Sequence, residues 1–264
     1  MTTTIPTVAG MFYPEDPAEL RHIVQKFLKQ AQDKKKLPIP KAIIAPHAGY
    51  IYSGPVAASA YACLANASNI NQVIILAPAH HAYFRGIATL PTDFYATPLG
   101  KVPIDRDAIE NITQLSTVIA AEQAFAQEHA LEVQLPFLQI LLPKFALIPL
   151  LIGDVTPPQV AAVLEQLWGD ENTLIVVSSD LSHYLTYRNA QTVDKRNQEA
   201  ILNLNADAIN AASACGHIAI AGLLIIAKKK NLHATAIDLC TSGDTAGPKD
   251  AVVGYGAFHF GEKP

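Results

Sequence analysis

Short apolar runs alternate along the chain with longer segments in which apolar residues recur every three or four positions. The short runs, rich in Ile, Val and Leu, predict buried strands, and the longer segments predict helices with one apolar face. Strands are predicted at about residues 41–45, 73–77, 146–151, 174–178, 233–239 and 252–260. Helices are predicted at about residues 16–32, 55–64, 106–114, 129–142, 158–167, 194–203 and 206–212, with a last one ending near residue 227.

This alternation predicts an α/β fold with a central, largely parallel mixed sheet flanked by helices. Residues 84–99 carry β-branched and aromatic side chains with prolines at the edges, which predicts one or two strands of a hairpin. No low-complexity linker interrupts the pattern. We therefore expect residues 1–264 to form a single domain.

Polar side chains follow three of the predicted buried strands. His47 comes after the first strand, His80 and His81 after the second, and Asp180 and His183 after the strand that ends at Ser178. The carboxyl ends of parallel strands meet at one edge of a sheet, where ligands bind in open α/β folds. We therefore expect these side chains to converge on one site. A histidine at a strand end is also often a hydrogen-bonded structural residue, so position alone leaves both roles open.

The composition limits the class of protein and the cellular location in which such a site is expected. Half of the 264 residues are hydrophobic, but the apolar runs are shorter than the ~20 residues that span a bilayer, so we expect no membrane segment. A net charge of −4 gives no electrostatic footprint for nucleic acid, and the lysine runs at residues 34–36 and 228–230 are predicted to be solvated helix ends. The first residues show no secretory signal and the three cysteines are an odd number, which together predict a cytoplasmic location.

Cys215 is the thiol best placed to bind a metal. It lies just before an apolar helix, whose N-terminal dipole is expected to lower the pKa of the thiol and favour the thiolate. Imidazoles and a thiolate suit Fe(II), Zn(II) or Cu. Cys63, in an alanine-rich helix, is interpreted as a small core residue, and the role of Cys240, which follows a predicted strand, remains open.

Two further pairs could transfer protons or orient a ligand. His129 and Glu132, preceded by Glu128, would share a face on the first turn of a predicted helix, although an acidic first turn is the simpler interpretation. Asp180 and His183 could form a hydrogen-bonded acid/base pair, or a capping Asp with a surface His. Because adjacent residues on an extended chain point apart, only one of His80 and His81 is expected to face a metal.

Six segments, taken in order, resemble the Memo-like family, whose bacterial and archaeal members are often called AmmeMemoRadiSam system protein B. They are residues 8–14 (VAGMFYP), 45–50 (APHAGY), 78–81 (PAHH), 128–136 (EHALEVQLP), 177–183 (VSSDLSH) and 241–244 (TSGD). The series extends from residue 8 to about residue 256, which makes it more specific than any single motif.

The resemblance implies a fold similar to the catalytic subunit of class III extradiol (LigB-type) non-haem iron dioxygenases. It also implies that His47, His80 and Cys215 hold the metal and that Asp180 and His183 line the same pocket. His81 and His129 are further catalytic candidates because of their own positions in the sequence. Those dioxygenases use a carboxylate as the third ligand. A thiolate from Cys215 would change the charge distribution at the metal.

Three functions follow as hypotheses. The first is an iron-dependent, dioxygenase-like oxidoreductase that acts on a small molecule or a peptide, with Fe(II) as the expected cofactor and Cu or Zn as alternatives. The second is a non-enzymatic protein that binds a metal or a peptide in a pocket of enzymatic type. The third is a zinc metallohydrolase that uses the same ligands to activate water.

Overall fold

A computed structural model describes residues 1–32 and 37–262. The strands are β1 (Thr3–Thr4), β2 (Ala42–Ala45), β3 (Gln72–Pro78), β4 (Ile87–Thr89), β5 (Phe94–Thr97), β6 (Gly100–Pro103), β7 (Val118–Ala120), β8 (Ala146–Ile152), β9 (Thr173–Ser178), β10 (His183–Leu185), β11 (His233–Thr241) and β12 (Val252–Gly261). The α-helices are α1 (Pro17–Ala31), α2 (Tyr50–Tyr61), α3 (Arg106–Ile112), α4 (Leu135–Leu141), α5 (Pro157–Gln166), α6 (Tyr187–Leu202) and α7 (His217–Lys229). The predicted α/β class is confirmed.

Within the described residues, nine strands form the central sheet, in the order β10-β12-β2-β9-β3-β8-β4-β7 with β11 also paired to β12. The middle of the sheet is parallel, because β2, β9, β3 and β8 pair in the same direction. Antiparallel pairs join β12 to β2 and β4 to β8. The sheet is therefore mixed, with a parallel centre and antiparallel flanks, and the carboxyl ends of β2, β9 and β3 lie side by side.

Helices cover the sheet on both faces. Every residue of β2 and β9 is buried, which requires apolar cover on each side of these strands. The cover comes from one packed group made by α1, α2 and α4 and from another made by α5 and α7, while α6 packs on β11 and β12. No helix among the described residues is both long enough and apolar enough to cross a membrane.

Local sequence explains where α1 begins. Asp16 accepts hydrogen bonds from the backbone N–H groups of Ala18 (3.0 Å) and Glu19 (2.8 Å), and Pro17 occupies the first helical position, where a missing N–H costs nothing. The buried residues of α1 are Leu20, Val24, Leu28 and Ala31. The prediction for this helix is accurate to one residue at each end.

Helix α2 begins five residues before the predicted start at Pro55. Pro55 lies inside the helix, and the first turn is fixed instead by backbone bonds from Tyr52 and Ser53 to the carbonyl of Gly49. The loop between β2 and α2 is therefore only residues 46–49. A loop this short holds His47 close to the sheet edge.

Some of the sequence predictions are confirmed and others are wrong. Residues 84–99 supply one strand of a hairpin, as predicted, because β5 pairs with β6 in a separate three-stranded sheet, whereas β4 joins the central sheet. The helix predicted at 206–212 is a single 3-10 turn, Ala206–Ala208, and α6 begins at Tyr187 rather than near Asp194. The lysines at 228–230 are exposed at the end of α7, as predicted, while the prediction for residues 34–36 lies outside the described residues.

The helix predicted from His129 begins only at Leu135, after a 3-10 turn at Glu132–Gln134. Pro136 favours a helix start at this point. The Glu132 side chain is drawn into the core, where it accepts hydrogen bonds from Thr7 and Tyr13. His129 and Glu132 therefore do not share a helical face, and His129 lies in the loop before the turn.

Candidate metal centre

The loops that follow β2, β3 and β9 converge, as the strand pattern predicted. The three strands are adjacent and parallel, with Ala45 paired to Ser178 and Leu76 paired to Val177. His47, His80 and Asp180 each lie two residues beyond the end of their strand. The loop before α4 adds His129 to the same edge of the sheet.

Three imidazoles form the core of this site. Among the described residues, His47, His80 and His129 make up a group whose ligand nitrogens all lie within 4.8 Å of one another. The ring centroids of His80 and His129 are 4.9 Å apart, and His47 lies 5.2 Å from His80 and 5.5 Å from His129. The arrangement is compatible with a metal ion bound between the three rings.

Hydrogen bonds around Ser178 determine which nitrogen of His47 carries the proton. Ser178 Oγ donates its single proton to the backbone carbonyl of Ala130 at 2.5 Å. It must therefore act as the acceptor towards His47 Nδ1, 2.9 Å away. The proton of the neutral His47 ring is thus on Nδ1, and Nε2 is unprotonated.

Gln134 holds Ser178 in this orientation. Its amide nitrogen donates to Ser178 Oγ at 2.7 Å and to the carbonyl of Pro46 at 3.0 Å, while its amide oxygen accepts from the hydroxyl of Tyr61 at 2.8 Å. All of these groups are buried. Each donor has an acceptor, so the network specifies one arrangement of the His47 ring.

Glu128 plays the corresponding role for His80. Its carboxylate accepts from His80 Nδ1 at 2.9 Å and from the backbone N–H groups of His80 (2.6 Å) and Ala130 (2.8 Å). Burial alone would raise the pKa of Glu128, but these bonds outweigh it and lower the pKa to about 2. Because an ionised carboxylate only accepts, His80 Nδ1 carries the proton and Nε2 is free to bind a metal. The same carboxylate lies 3.5 Å from His129 Nδ1.

Two of the rings resist protonation. Burial, followed by the charge of His80, lowers the pKa of His47 to about 3. Burial, followed by the charge of His47, lowers the pKa of His129 to about 4. Both rings are therefore uncharged at neutral pH, which is the state that a metal requires of an imidazole.

Cys215 lies beside this cluster. Its Sγ is 3.3 Å from His47 Nε2 and 3.6 Å from the carbonyl of Asp180, but it does not belong to the mutually close donor group. The expectation that the dipole of the following helix lowers the thiol pKa is wrong. Burial and the nearby Asp180 raise the pKa of Cys215 to about 12, so without a metal the group is a thiol.

Asp180 and His183 are not hydrogen-bonded to each other. Asp180 is buried and accepts from the backbone N–H of His47 at 2.8 Å, which fixes the loop that carries His47. Burial raises the pKa of Asp180, and the charge of His183 opposes that effect, so His183 lies close enough to act on this carboxylate. His81 is exposed at the margin, with its ring centroid 6.3 Å from those of His80 and His129.

The N-terminal segment packs on the third imidazole. The ring of Phe12 lies 4.5 Å from the ring of His129, and the carbonyl of Phe12 accepts from the backbone N–H of Tyr50 at 2.8 Å. Glu132 anchors this segment by accepting from the backbone N–H groups of Thr7 (2.7 Å) and Val8 (3.1 Å). One side of the site is thus formed by residues 7–13.

A cavity of about 340 Å³ borders Cys215 on the other side. Its walls include Phe84, Ile152 and the first turn of α7. A volume of this size is within the usual range for small-molecule sites.

Sequence reasoning missed Ser178 and Gln134. Ser178 was recognised only as the last residue of a buried strand, and Gln134 only as part of a motif. A small polar residue that ends a buried strand, next to a histidine-bearing strand end, is the signal that could have identified Ser178. Nothing in the spacing of Gln134 indicates its role, since its partners Tyr61, Pro46 and Ser178 are remote in sequence.

The family model and the relatives found by sequence agree on one family. The model of a family described as Memo-like protein matches residues 5–259. A MEMO1 family protein of Saccharolobus solfataricus is 36% identical over 97% of this chain and 99% of its own length. MEMO1 family proteins of Metallosphaera sedula and Nitrosopumilus maritimus are 33% and 34% identical over 97% of this chain, covering 99% and 98% of their own lengths. A crystal structure of an uncharacterized protein from Escherichia coli K12 aligns with a TM-score of 0.47 at 13% identity, covering 97% of this chain and 99% of that one.

Proposed function

The chain belongs to the Memo-like family, and from that premise we propose that it is a non-haem iron-dependent oxidoreductase whose metal is held by His47, His80 and His129. The observation that carries the proposal is the convergence of three ligand nitrogens within 4.8 Å, with the opposite nitrogens of His47 and His80 already bound to acceptors. Metal-binding histidines in proteins almost always have such an acceptor on their second nitrogen.

The donor chemistry favours a transition metal of intermediate softness. Neutral imidazoles suit Fe(II), Zn(II) and Cu, whereas Mg²⁺ and Ca²⁺ prefer oxygen ligands. Cys215 Sγ lies 3.3 Å from His47 Nε2, a spacing that two donors on one metal ion adopt, so its thiolate is proposed as an additional ligand. Loss of the thiol proton on metal binding would offset the raised pKa of Cys215.

The protein side of the mechanism consists of binding, orientation and proton transfer. A bound Fe(II) ion would supply redox and Lewis-acid chemistry. Ser178 and Glu128 hold two imidazoles with Nε2 towards the metal position, and Asp180 fixes the backbone of His47. His183 and His81, at the margin of the cluster, are proposed to carry protons to and from the substrate. The cavity beside Cys215 offers space for a small molecule or one side chain of a peptide.

The test is metal analysis of protein produced and purified without oxygen in the presence of Fe(II). We expect one iron per chain, reduced to a small fraction in His47→Ala and in His129→Ala. His81→Ala is the matched control, because it removes an imidazole from the same sheet edge but outside the donor group, and it should retain iron. Equal iron content in His47→Ala and the unaltered protein would refute the site.

Turnover is tested separately with iron-loaded protein. Oxygen uptake is measured with catechols and with thiols as substrates, and an oxidoreductase should show uptake that disappears in His47→Ala. Stoichiometric iron without uptake on either class would favour the alternative of a non-enzymatic binding protein. Cys215→Ser should weaken iron binding less than His129→Ala does, because only His129 belongs to the mutually close donor group.

The three-nitrogen donor set also favours a second candidate, a zinc metallohydrolase. Three neutral histidines around an open position form a known catalytic zinc site, in which the bound water becomes a nucleophile. This function predicts hydrolytic activity that persists without oxygen and returns to the metal-free protein with Zn(II) alone. Activity that requires both Fe(II) and oxygen would exclude it.

A further inference from the structure

A second cavity lies at the edge of the sheet opposite the metal centre. It has a volume of about 660 Å³ and is formed by residues 38–41, by the turn between α5 and β9, by the turn after α7 and by the end of β12. Strands β2 and β9 begin at this edge, whereas the histidine loops follow their other ends. The cavity therefore has no residue in common with the metal centre.

Two ammonium groups share one indole ring in this cavity. Lys41 Nζ lies 5.3 Å and Lys230 Nζ lies 5.5 Å from the ring centroid of Trp168. Lys41 Nζ also donates to the backbone carbonyls of Asp170 (2.8 Å) and Thr173 (3.1 Å). Two of its three N–H donors are thus used, and the third is available to a ligand.

The turn that presents Trp168 is rigid. Gly169 has φ +57°, and a Cβ there would lie 2.2 Å from Thr173 Oγ1, so only glycine fits this turn. Lys41 is fixed by its two carbonyl acceptors, Asp170 within this turn and Thr173 at the start of β9. The indole ring and one ammonium group are therefore held in place before any ligand arrives, which lowers the entropic cost of binding.

The two cations repel each other. Burial, and to a smaller extent the charge of Lys230, lower the pKa of Lys41 to about 8, while Asp170 acts in the opposite direction. An anion that contacts both ammonium groups would offset this repulsion and further favour the charged state of Lys41. The pair is thus suited to an acidic group.

The remaining walls limit the size and charge of such a ligand. Pro38, Ile39 and Leu232 contribute apolar surface, and Ile39 has 39% of its surface exposed. Asp170, Glu171 and Glu262 line the same cavity. These carboxylates would repel a polyanion, so the lining favours one acidic group attached to an apolar body.

We propose that this cavity binds a small organic acid, whose single carboxylate contacts Lys41 and Lys230 while its apolar body packs against Trp168, Ile39 and Leu232. The site is independent of the metal centre and of the function proposed for it.

The test uses the fact that Trp168 is the only tryptophan in the chain, so its fluorescence reports on this cavity alone. The probe is 4-phenylbutyrate, compared with 4-phenylbutanol and 4-phenylbutylamine, which have the same apolar body without the negative charge. We expect a saturable fluorescence change with the carboxylate and binding at least about tenfold weaker for the alcohol and the amine.

Two lysine variants locate the binding. Lys41→Met and Lys230→Met should each lower the affinity for 4-phenylbutyrate by about fivefold to tenfold, because each substitution removes a charged partner of the carboxylate. Lys41→Met removes two hydrogen bonds and could harm the fold. Lys230 is exposed, so Lys230→Met is expected to stay folded and keeps the test valid. Lys228→Met is the matched control, an exposed lysine on the same helix end that does not line the cavity.

The outcomes separate clearly. Charge-selective binding that depends on Lys230 supports the site. No response to 4-phenylbutyrate, equal binding of the amine, or the same affinity in Lys230→Met and Lys228→Met would overturn the proposal. Binding should be unchanged in His47→Ala, since that residue lies at the other edge of the sheet.

Discussion

Two side chains outside the donor group decide whether His47 and His80 can bind a metal. Ser178 and Glu128 accept from the Nδ1 atoms of these rings and leave both Nε2 atoms unprotonated. Both acceptors are fully or almost fully buried, with 0% and 1% of their surface exposed. The ring orientations therefore exist before a metal arrives, which lowers the cost of binding it.

Glu128→Gln tests this arrangement. The neutral amide is a weaker acceptor for His80 Nδ1, so we expect metal affinity to fall by about tenfold to a hundredfold. The measurement is a competition titration with a chromogenic chelator. Asp194→Asn is the control, because Asp194 is an equally buried carboxylate that accepts from Ser182 and has no bond to any histidine of the cluster. Equal losses in the two variants would show that the effect is not specific to His80.

At the scale of elements, the short loops around the sheet edge leave little room for change. Gly216 connects the loop of Cys215 to α7, and a Cβ there would lie 2.7 Å from Ser179 Cβ. Gly49, which connects the loop of His47 to α2, has its nearest neighbour for a Cβ at 3.6 Å and a φ of −53°, which any residue adopts. The two glycines thus differ in the space around them.

We predict that Gly216→Ala lowers the free energy of unfolding by about 1–3 kcal/mol, because the methyl group must displace β9 or α7. Gly49→Ala should change it by no more than about 0.5 kcal/mol. Urea unfolding of both variants provides the comparison. If Gly49→Ala were the more destabilised variant, the close packing of α7 on the end of β9 would not be as described.

The N-terminal segment is a second element that depends on one residue. Glu132 accepts four hydrogen bonds from residues 7, 8 and 13, one of them from Tyr13 Oη at 2.5 Å. Glu132→Gln should cost about 2–3 kcal/mol, since bonds to a charged acceptor are lost in the core. Hydrogen exchange should show faster exchange at residues 7–13 than in the unaltered protein. Acceleration spread evenly over all elements would contradict a local anchor.

At the scale of the whole molecule, the buried imidazoles make stability depend on pH. The pKa of His47 falls from 6.5 to about 3 and that of His129 to about 4, so the unfolded chain binds more protons than the folded chain below pH 6.5. In the metal-free protein, the contribution of these neutral imidazoles to the free energy of unfolding is therefore fully present above this pH. It is lost as the pH falls towards 3. For His47 the loss at pH 4 is about 3 kcal/mol.

Urea unfolding of the metal-free protein at pH 7 and pH 4 measures this loss. Between the two pH values, the free energy of unfolding of His47→Gln should fall by about 3 kcal/mol less than that of the unaltered protein. His22→Gln, which changes an exposed histidine of α1, should lose as much as the unaltered protein. The same pH dependence in all three proteins would mean that His47 is not kept neutral by burial.

The sequence predicts the sheet better than it predicts the loops. Buried parallel strands have continuous apolar runs, so β2, β3, β8 and β9 are recognisable, and the meeting of His47, His80 and Asp180 follows from their order. The starts of helices are harder to predict from the sequence. Pro55 lies inside α2 rather than at its first turn, and the side chain of Glu132 is buried in a 3-10 turn before α4 rather than in the first turn of a helix. These outcomes depend on contacts between residues far apart in the chain.

The same limit applies to the site. His129 was recognised as a candidate for proton transfer, but its place beside His47 and His80 depends on an irregular loop and on Phe12, more than a hundred residues earlier in the chain. The position of Cys215 before α7 marks it as the candidate thiol, and the family resemblance implies that it is the third ligand. The structure brings it next to His47 and places His129 in the mutually close donor group.

The central claim, a metal ion held by three histidine nitrogens, is tested most directly by a crystal structure of protein grown without oxygen in the presence of Fe(II). Anomalous scattering at the iron edge should show one peak per chain, within about 2.2 Å of the Nε2 atoms of His47 and His80 and of one ring nitrogen of His129. A peak bound by other side chains, or no peak at full Fe(II) loading, would contradict the account.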